Sequence, residues 1–415
     1  MSASVLLAIL VAIIALDHLI DAWLRWRRAR SWQRPVPAIV DDLFDKAEYR
    51  DARAYHAAHQ RLGLVKSVLT MVIVLALVVG GGFAWVDAWA RTLSTHAVVQ
   101  GLVFFGVLSL ASTLIDLPFN LISTFRIEER WGFNRTTPAT FAADRLKSLA
   151  LTAVVGAPLL AVIIVLYEAM GPAFWWAAWL VVIAVSLLAN LVYTSWILPL
   201  FNTLTPLEDG PLRTAIEDYA ARVDFPLDGI LVMDGSRRSS KANAFFSGLG
   251  RRKRIVLFDT LIEEMDVDEV TAVLAHEVGH YKHRHILGNL ALGIVQTGVL
   301  FALFGWVAGH PVVAEALGAS QPSFHISLIA FSLLYTPVQM AVGIAMNAWS
   351  RRNEFQADAY ARSTYDPRPL ASALRTLARK HLSNLTPDRV NVVVSYSHPP
   401  IADRLERLET PVGPK

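Results

Sequence analysis

Long apolar runs dominate this chain. A helix needs about 20 apolar residues to cross a hydrocarbon core of about 30 Å, and seven segments qualify: 5–24, 65–85, 99–121, 149–167, 174–198, 286–307 and 324–348. No Lys or Arg precedes the first run, and its basic cluster (Arg25, Arg27, Arg28, Arg30) follows it. That order predicts a retained anchor with its N-terminus outside, not a cleaved signal peptide. Basic residues then alternate between loops. Residues 25–64 carry nine Lys/Arg and 122–148 carry five, whereas 87–98 has only Arg91 and 169–173 and 309–323 have none. By the positive-inside rule the loops 25–64, 122–148 and 199–285 and the tail 349–415 share the cytoplasmic side.

Polar groups interrupt several runs: Asp17, His18, Asp116, Asn190, Gln296 and Gln339. Such groups face a bundle interior or a wet cavity, and together they predict a hydrated internal space. The polar stretch 199–285 starts as a Pro-punctuated linker. Its pattern predicts a helix over 211–223, short strands at 230–233 and 254–258, and a further strand-like run at 242–250. A helix capped by Asp266 or Asp268 follows.

Composition narrows the chemistry. Hydrophobic residues make up 54% and charged residues only 18%, as expected of a polytopic membrane protein. The net charge of +3 gives a nucleic-acid partner no support. There is no Cys, so a transition metal can be held only by His and carboxylate.

The helix after Asp266 carries His276-Glu277-Val278-Gly279-His280. Imidazoles four residues apart project from one helix face and can reach one Zn²⁺. Glu277, beside the first ligand, is placed to take a proton from a water held there. A catalytic zinc site needs a third protein ligand. Glu354 supplies it, with Asp358 four residues on as hydrogen-bond acceptor for a ligating imidazole. His283 competes for the third position, but it lies about 10.5 Å along the axis from His276, too far for three ligands on one straight helix. His283 and His285 are expected at the headgroup level. His56, His59 and His96 are expected on solvated surfaces.

At these residues the chain resembles the type I CAAX prenyl protease family of integral-membrane zinc metallopeptidases. The resemblance rests on the seven runs, on His276–His280, on Glu354 and Asp358, and on Ser397-His398-Pro399-Pro400-Ile401-Ala402-Asp403-Arg404. Stretches 129–134 and 241–248 add to it. Tyr281 departs from the Trp usual after the motif. The resemblance implies a helical barrel around a water-filled chamber, with one zinc per chain near its cytoplasmic end. It implies that Asn243 and Ala244 lie on an edge strand that pairs with substrate backbone, that His398 points at the scissile carbonyl, and that Arg404 supports the metal site. Peptide or protein substrates, prenylated or membrane-tethered, would be the partners, together with the lipid bilayer.

The expected fold is an all-α polytopic membrane protein, seven transmembrane helices forming a chambered barrel, with a small α+β gluzincin-like protease domain on the cytoplasmic side. Residues 1–198 would hold five spans, 199–285 the edge strand and metal helix, 286–348 two further spans, and 349–415 the third ligand. The Arg-rich, Ala-rich composition points to a bacterial member, hence an inner membrane with a periplasmic N-terminus. Two other readings remain: a heat-shock-type quality-control zinc protease of the membrane, and a metal-binding transporter or receptor, which would not need Glu277.

Overall fold

A computed structural model describes residues 1–247 and 253–410. Gly248 to Gly250 of the expected third strand, and the last five residues of the tail, lie outside the described residues. The membrane part comprises α1 (Ala3–Ser31), α2 (Lys46–Val79), α3 (Gly82–Leu93), α4 (Ala97–Ile122), α5 (Pro138–Leu151), α6 (Ala157–Met170) and α7 (Phe174–Val192). The polar unit follows with α8 (Pro211–Arg222), α9 (Asp259–Glu264) and α10 (Val267–Lys282). Then come α11 (His285–Val307), α12 (Pro311–Ala316), α13 (Phe324–Thr364), α14 (Pro367–Lys380), α15 (Arg389–Ser395) and α16 (Ile401–Glu409). Four short strands, β1 (Leu204–Pro206), β2 (Leu227–Met233), β3 (Ala244–Ser247) and β4 (Lys253–Phe258), form one sheet in the order β1-β2-β4-β3. β2 and β4 run parallel, while β1 and β3 pair antiparallel at its two edges. The chain is therefore mostly helical, with its strands confined to the small polar unit. β1 falls inside what the sequence presents as a linker, recruited by Met233, Val232 and Leu231 across from it.

Among the described residues, six helical stretches are long and apolar enough to cross a membrane. One of them, Pro138–Leu200, has 63 residues. It turns at Gly171, whose φ of +56° suits a residue without Cβ. α6 packs back against α7 there. The run expected at 65–85 is divided: α2 ends at Val79, and Gly81 (φ +68°) starts the separate helix α3. Several helices outrun a bilayer. α13 has 41 residues, so Glu354 stands about 45 Å along the axis from Phe324, well beyond a core of about 30 Å. α1 and α2 likewise fill most of the expected loop 25–64.

Three apolar clusters hold the molecule together. Leu10, Phe104 and Ile326 join α1, α4 and α13, and Phe174, Phe304 and Phe324 form an edge-to-face aromatic knot among α7, α11 and α13. A buried set links α3 to the start of α13: His325 Nε2 meets Asp87 Oδ1 at 2.5 Å and Arg91 donates to Oδ2 at 2.9 Å. The largest core lies in the polar unit, where Ile216, Tyr219, Leu257, Leu261, Leu274, Leu374 and Leu405 meet under the sheet. Val40 and Leu43, between α1 and α2, are buried in the same core and tie the first hairpin to it.

Among the polar residues within the runs, Asp116 forms an interhelical pair, whereas His18, Asp17, Asn190 and Gln339 do not take up that plainest use. His18 Nδ1 bonds to Ile14 O of its own helix. Asp17, Asn190 and Gln339 are exposed, and Asp116 meets Lys66 of α2 at 2.8 Å.

Candidate metal centre

α10 begins with a capping box: Asp266 accepts from the Glu269 amide, and the Glu269 side chain reaches back to the Asp266 amide. Val270, Leu274 and Val278 form its buried face. His276 and His280 lie one turn apart, and Glu354 approaches from α13. One donor atom from each of these three residues lies within 4.8 Å of the others. His276 Nε2 is 3.2 Å from His280 Nε2 and 3.5 Å from Glu354 Oε2, and His280 Nε2 is 3.4 Å from Glu354 Oε1.

Tautomers follow from the outer partners. His276 Nδ1 is 2.8 Å from Asp358 Oδ1. A carboxylate only accepts, so Nδ1 carries a proton toward Asp358, and Nε2 is the nitrogen turned toward Glu354 that a metal would take. Arg404 fixes Asp358 in turn with a bidentate pair, Nε to Oδ2 at 2.9 Å and Nη2 to Oδ1 at 2.6 Å. On the other ligand His280 Nδ1 is 3.0 Å from His285 Nδ1, and His285 Nε2 is 2.9 Å from Gln356 Oε1. The amide oxygen accepts from His285 Nε2, so His285 Nδ1 accepts from His280 Nδ1, and the His280 lone pair also turns inward.

His285, expected among the lipid headgroups, is instead turned into the protein. It is only 4% exposed and backs His280. Arg284, at φ +58°, breaks the helix between α10 and α11. On an unbroken helix residue 285 would point about 140° away from residue 280. Nothing in the sequence marks that break apart from the basic run itself. His56 and His59 are half-buried, not on a free surface: His56 Nε2 bonds to Leu382 O and His59 Nε2 to Glu128.

The site's electrostatics fit a cation. Burial opposes a charge on His276, but Asp358 and Glu354 outweigh it and push the imidazole up to about 9. Glu354 Oε2 is buried without a hydrogen-bond partner. Its nearest cationic groups, His276 Nε2 and Arg404 Nη1, are each 3.5 Å away, and a buried carboxylate oxygen so loosely satisfied is costly unless a metal completes the set. Two imidazoles and one carboxylate with no thiolate suit zinc. Glu277 lies in the same cavity of about 580 Å³, and its carboxyl is raised by burial, with His276 and His280 pulling the other way.

The remaining expected residues gather there. Asn243 and Ala244 line this cavity with His398 and Arg404. Ala244 opens β3, the sheet's edge, and Asn243 O accepts from the Phe258 amide. His398 is exposed, with Nε2 3.4 Å from Glu354 Oε1 and Nδ1 3.0 Å from Ser397 Oγ. α13 holds the segment before it: Arg351 donates to Val392 O and Tyr396 O, and Asn347 to Val394 O. Arg351 is thus a brace, not an ion-pair partner of the acids. Arg404 is buried against Asp358, not paired with Asp403 or Glu406. Gly279 went unnoticed in the sequence. A Cβ there would stand 2.9 Å from Ala357 Cα and 2.9 Å from Ala357 O, so α10 and α13 touch backbone to backbone between the two ligand pairs.

This geometry defines a membrane metallopeptidase. Residues 26–203 match the family profile "CAAX prenyl protease N-terminal, five membrane helices", and 206–412 match "Peptidase family M48". CAAX prenyl protease 1 of Saccharomyces cerevisiae is 34% identical over 416 residues, covering 94% of this chain and 92% of its own. The human CAAX prenyl protease 1 homolog is 31% identical over 432 residues, covering 93% and 91%. The crystal structure of S. mikatae Ste24p superposes with a TM-score of 0.92 at 34% identity, covering 98% of this chain and 99% of that one. The chain belongs to the CAAX prenyl protease family of M48 metallopeptidases and is an integral-membrane endopeptidase. These relatives are eukaryotic, as are those from rice and mouse, so they lend the expected bacterial source and inner-membrane location no support.

Proposed function

We propose that the chain is a zinc protease that removes the last three residues of prenylated, membrane-tethered peptides, with His276, His280 and Glu354 holding one zinc. The observation that carries this is the convergence of those three donors in a cavity that also contains Glu277 and the edge of the sheet. Zinc, when bound, acts as a Lewis acid on the scissile carbonyl and acidifies water. The chain's own groups do the rest. The backbone of Asn243 and Ala244 grips an extended peptide by strand addition, which reads main chain rather than side chains. Glu277 takes a proton from the attacking water and returns it to the leaving amine. His398 donates to the carbonyl oxygen as negative charge builds there. Asp358, held by Arg404, keeps His276 in its tautomer.

In the membrane we infer seven crossings around a hydrated chamber. The turn at Gly171 supports counting Pro138–Leu200 as two crossings, and the exposed Asp17, Asn190 and Gln339 support the water. The basic-loop asymmetry supports a cytoplasmic active site and an outside N-terminus. The domain limits follow: 1–198, 199–285, 286–348 and 349–415. Purified protein given a farnesylated CaaX peptide, its unmodified twin and casein should cut the first by far the fastest, releasing a tripeptide seen by mass spectrometry. Glu277→Gln should retain stoichiometric zinc and lose at least about a hundredfold in rate. Full turnover by that variant would remove Glu277 from its role, and equal cutting of all three substrates would favour a quality-control protease.

A further inference from the structure

A second cavity, of about 530 Å³, adjoins the metal centre and shares Leu374, Leu377, His381, His398 and Arg404 with it. Arg28 at the end of α1 lines its far part. Among the described residues lining it there is no Asp or Glu. Two residues that line it each carry a buried polar atom without a hydrogen-bond partner: Arg28 Nε and His381 Nε2. Arg28 reaches only a neutral acceptor, Asn391 Oδ1, at 3.4 Å. Asp388, one turn before Asn391, is occupied by Arg27 and Arg34. Buried donors of this kind normally have partners, and each one left open calls for an explanation. Burial holds the His381 imidazole below its ordinary range, with the charge of Lys241 adding to that and Glu264 opposing it.

We propose that this second cavity receives the C-terminal carboxylate of the substrate, with the Arg28 guanidinium and His381 Nε2 as its donors. The proposal rests on the CAAX-type reading above, in which the leaving segment is three residues ending in a free carboxylate. Such a segment spans about 10 Å when extended. A chain held at the β3 edge passes His398 and runs into this cavity, where an arginine can engage a carboxylate through two parallel hydrogen bonds. The site would measure the distance from scissile bond to chain end. It would thereby select tripeptide release over internal cleavage.

The test compares a farnesylated peptide ending in a free acid with the same peptide ending in an amide, cut by the zinc-loaded full chain. Wild type should prefer the acid by about ten- to a hundredfold in kcat/KM, mostly through KM, the range for a charge-assisted hydrogen bond. Arg28→Gln should bring the acid down to the amide's level and leave the amide unchanged, and Arg28→Lys should restore part of the preference. His381→Gln gives an independent second variant. Equal cutting of acid and amide by wild type overturns the proposal, as does an equal loss on both substrates in Arg28→Gln. Calorimetric binding of the tripeptide Val-Ile-Ala as acid and as amide needs no cleavage. If no prenylated peptide is cut, the CAAX-type reading fails, while this measurement still decides whether the carboxylate is recognised: tighter binding of the acid, lost in Arg28→Gln, supports the site, and equal binding overturns it.

Discussion

Gly279→Ala tests whether backbone contact between α10 and α13 sets the metal geometry. The added Cβ would lie 2.9 Å from both Ala357 Cα and Ala357 O, and 3.1 Å from Tyr360 Cβ. Carbon atoms rest at about 3.5–4.0 Å, so the helices must part by roughly half an ångström or more, because neither Ala357 atom can rotate away. Overpacking of this kind costs about 1–3 kcal/mol, against a helix-propensity gain of about 1 kcal/mol for replacing Gly. A zinc shell tolerates errors of only about 0.2 Å. His276 and His280 move with α10 and Glu354 with α13, so the strain falls on the metal. At about 1.4 kcal/mol per tenfold, zinc affinity should drop about ten- to a hundredfold, read by chelator competition with metal analysis. Gly343→Ala is the control: it lies on α13 too, but its Cβ would meet nothing within 4 Å. Wild-type zinc retention in Gly279→Ala would refute the idea that this contact sets the ligand spacing.

Two further outcomes follow from the supporting residues. His285→Ala removes the acceptor of His280 Nδ1; zinc affinity should fall about ten- to a hundredfold, and unchanged affinity in the same competition assay would mean that water replaces the imidazole without loss. Asp388 is buried, accepts from Arg27, Arg34 and two backbone amides at the start of α15, and its carboxyl is held well below the usual range, chiefly by Arg27. A depressed folded-state value means that its stabilisation is complete above the unfolded value of about 3.9 and is lost as pH falls further. Asp388→Asn should therefore cost about 2–3 kcal/mol at neutral pH and flatten the decline in Tm below about pH 4; an undiminished decline would place the acid sensitivity elsewhere.

What the sequence discloses here depends on whether the relevant contacts are local. His276 with His280, and Glu354 with Asp358, are pairs set four apart by one helix turn, so their shared faces can be read without a structure. The apolar runs are legible for a similar reason: a bilayer fixes their minimum length. The misjudged residues depend on turns or on distant partners. Residue 285 backs residue 280 only because the chain enters a left-handed conformation at Arg284. His56 and His59 look like solvated surface until Leu382 and Glu128, remote in sequence, come to meet them. The strand β1 exists only because β2 offers it an edge.

The same distinction explains the layout of the site. One wall is a single 41-residue helix that starts in the aromatic knot and ends at Asp358 and beyond. Along its outer half it supplies Glu354, Asp358, the Gln356 that orients His285, and the Arg351 and Asn347 that hold the stretch of chain leading to His398. The proposed metal ligand, its support and the proposed carbonyl donor are thus referred to one rigid rod, and the opposing helix is pressed against that rod at Gly279. A catalytic constellation must be held to within about half an ångström. A continuous helix meets that demand better than loops would, and it has a further consequence. α4 and α11 pack against the rod, so a displacement of its apolar end relative to either would be carried along a continuous helix toward Glu354.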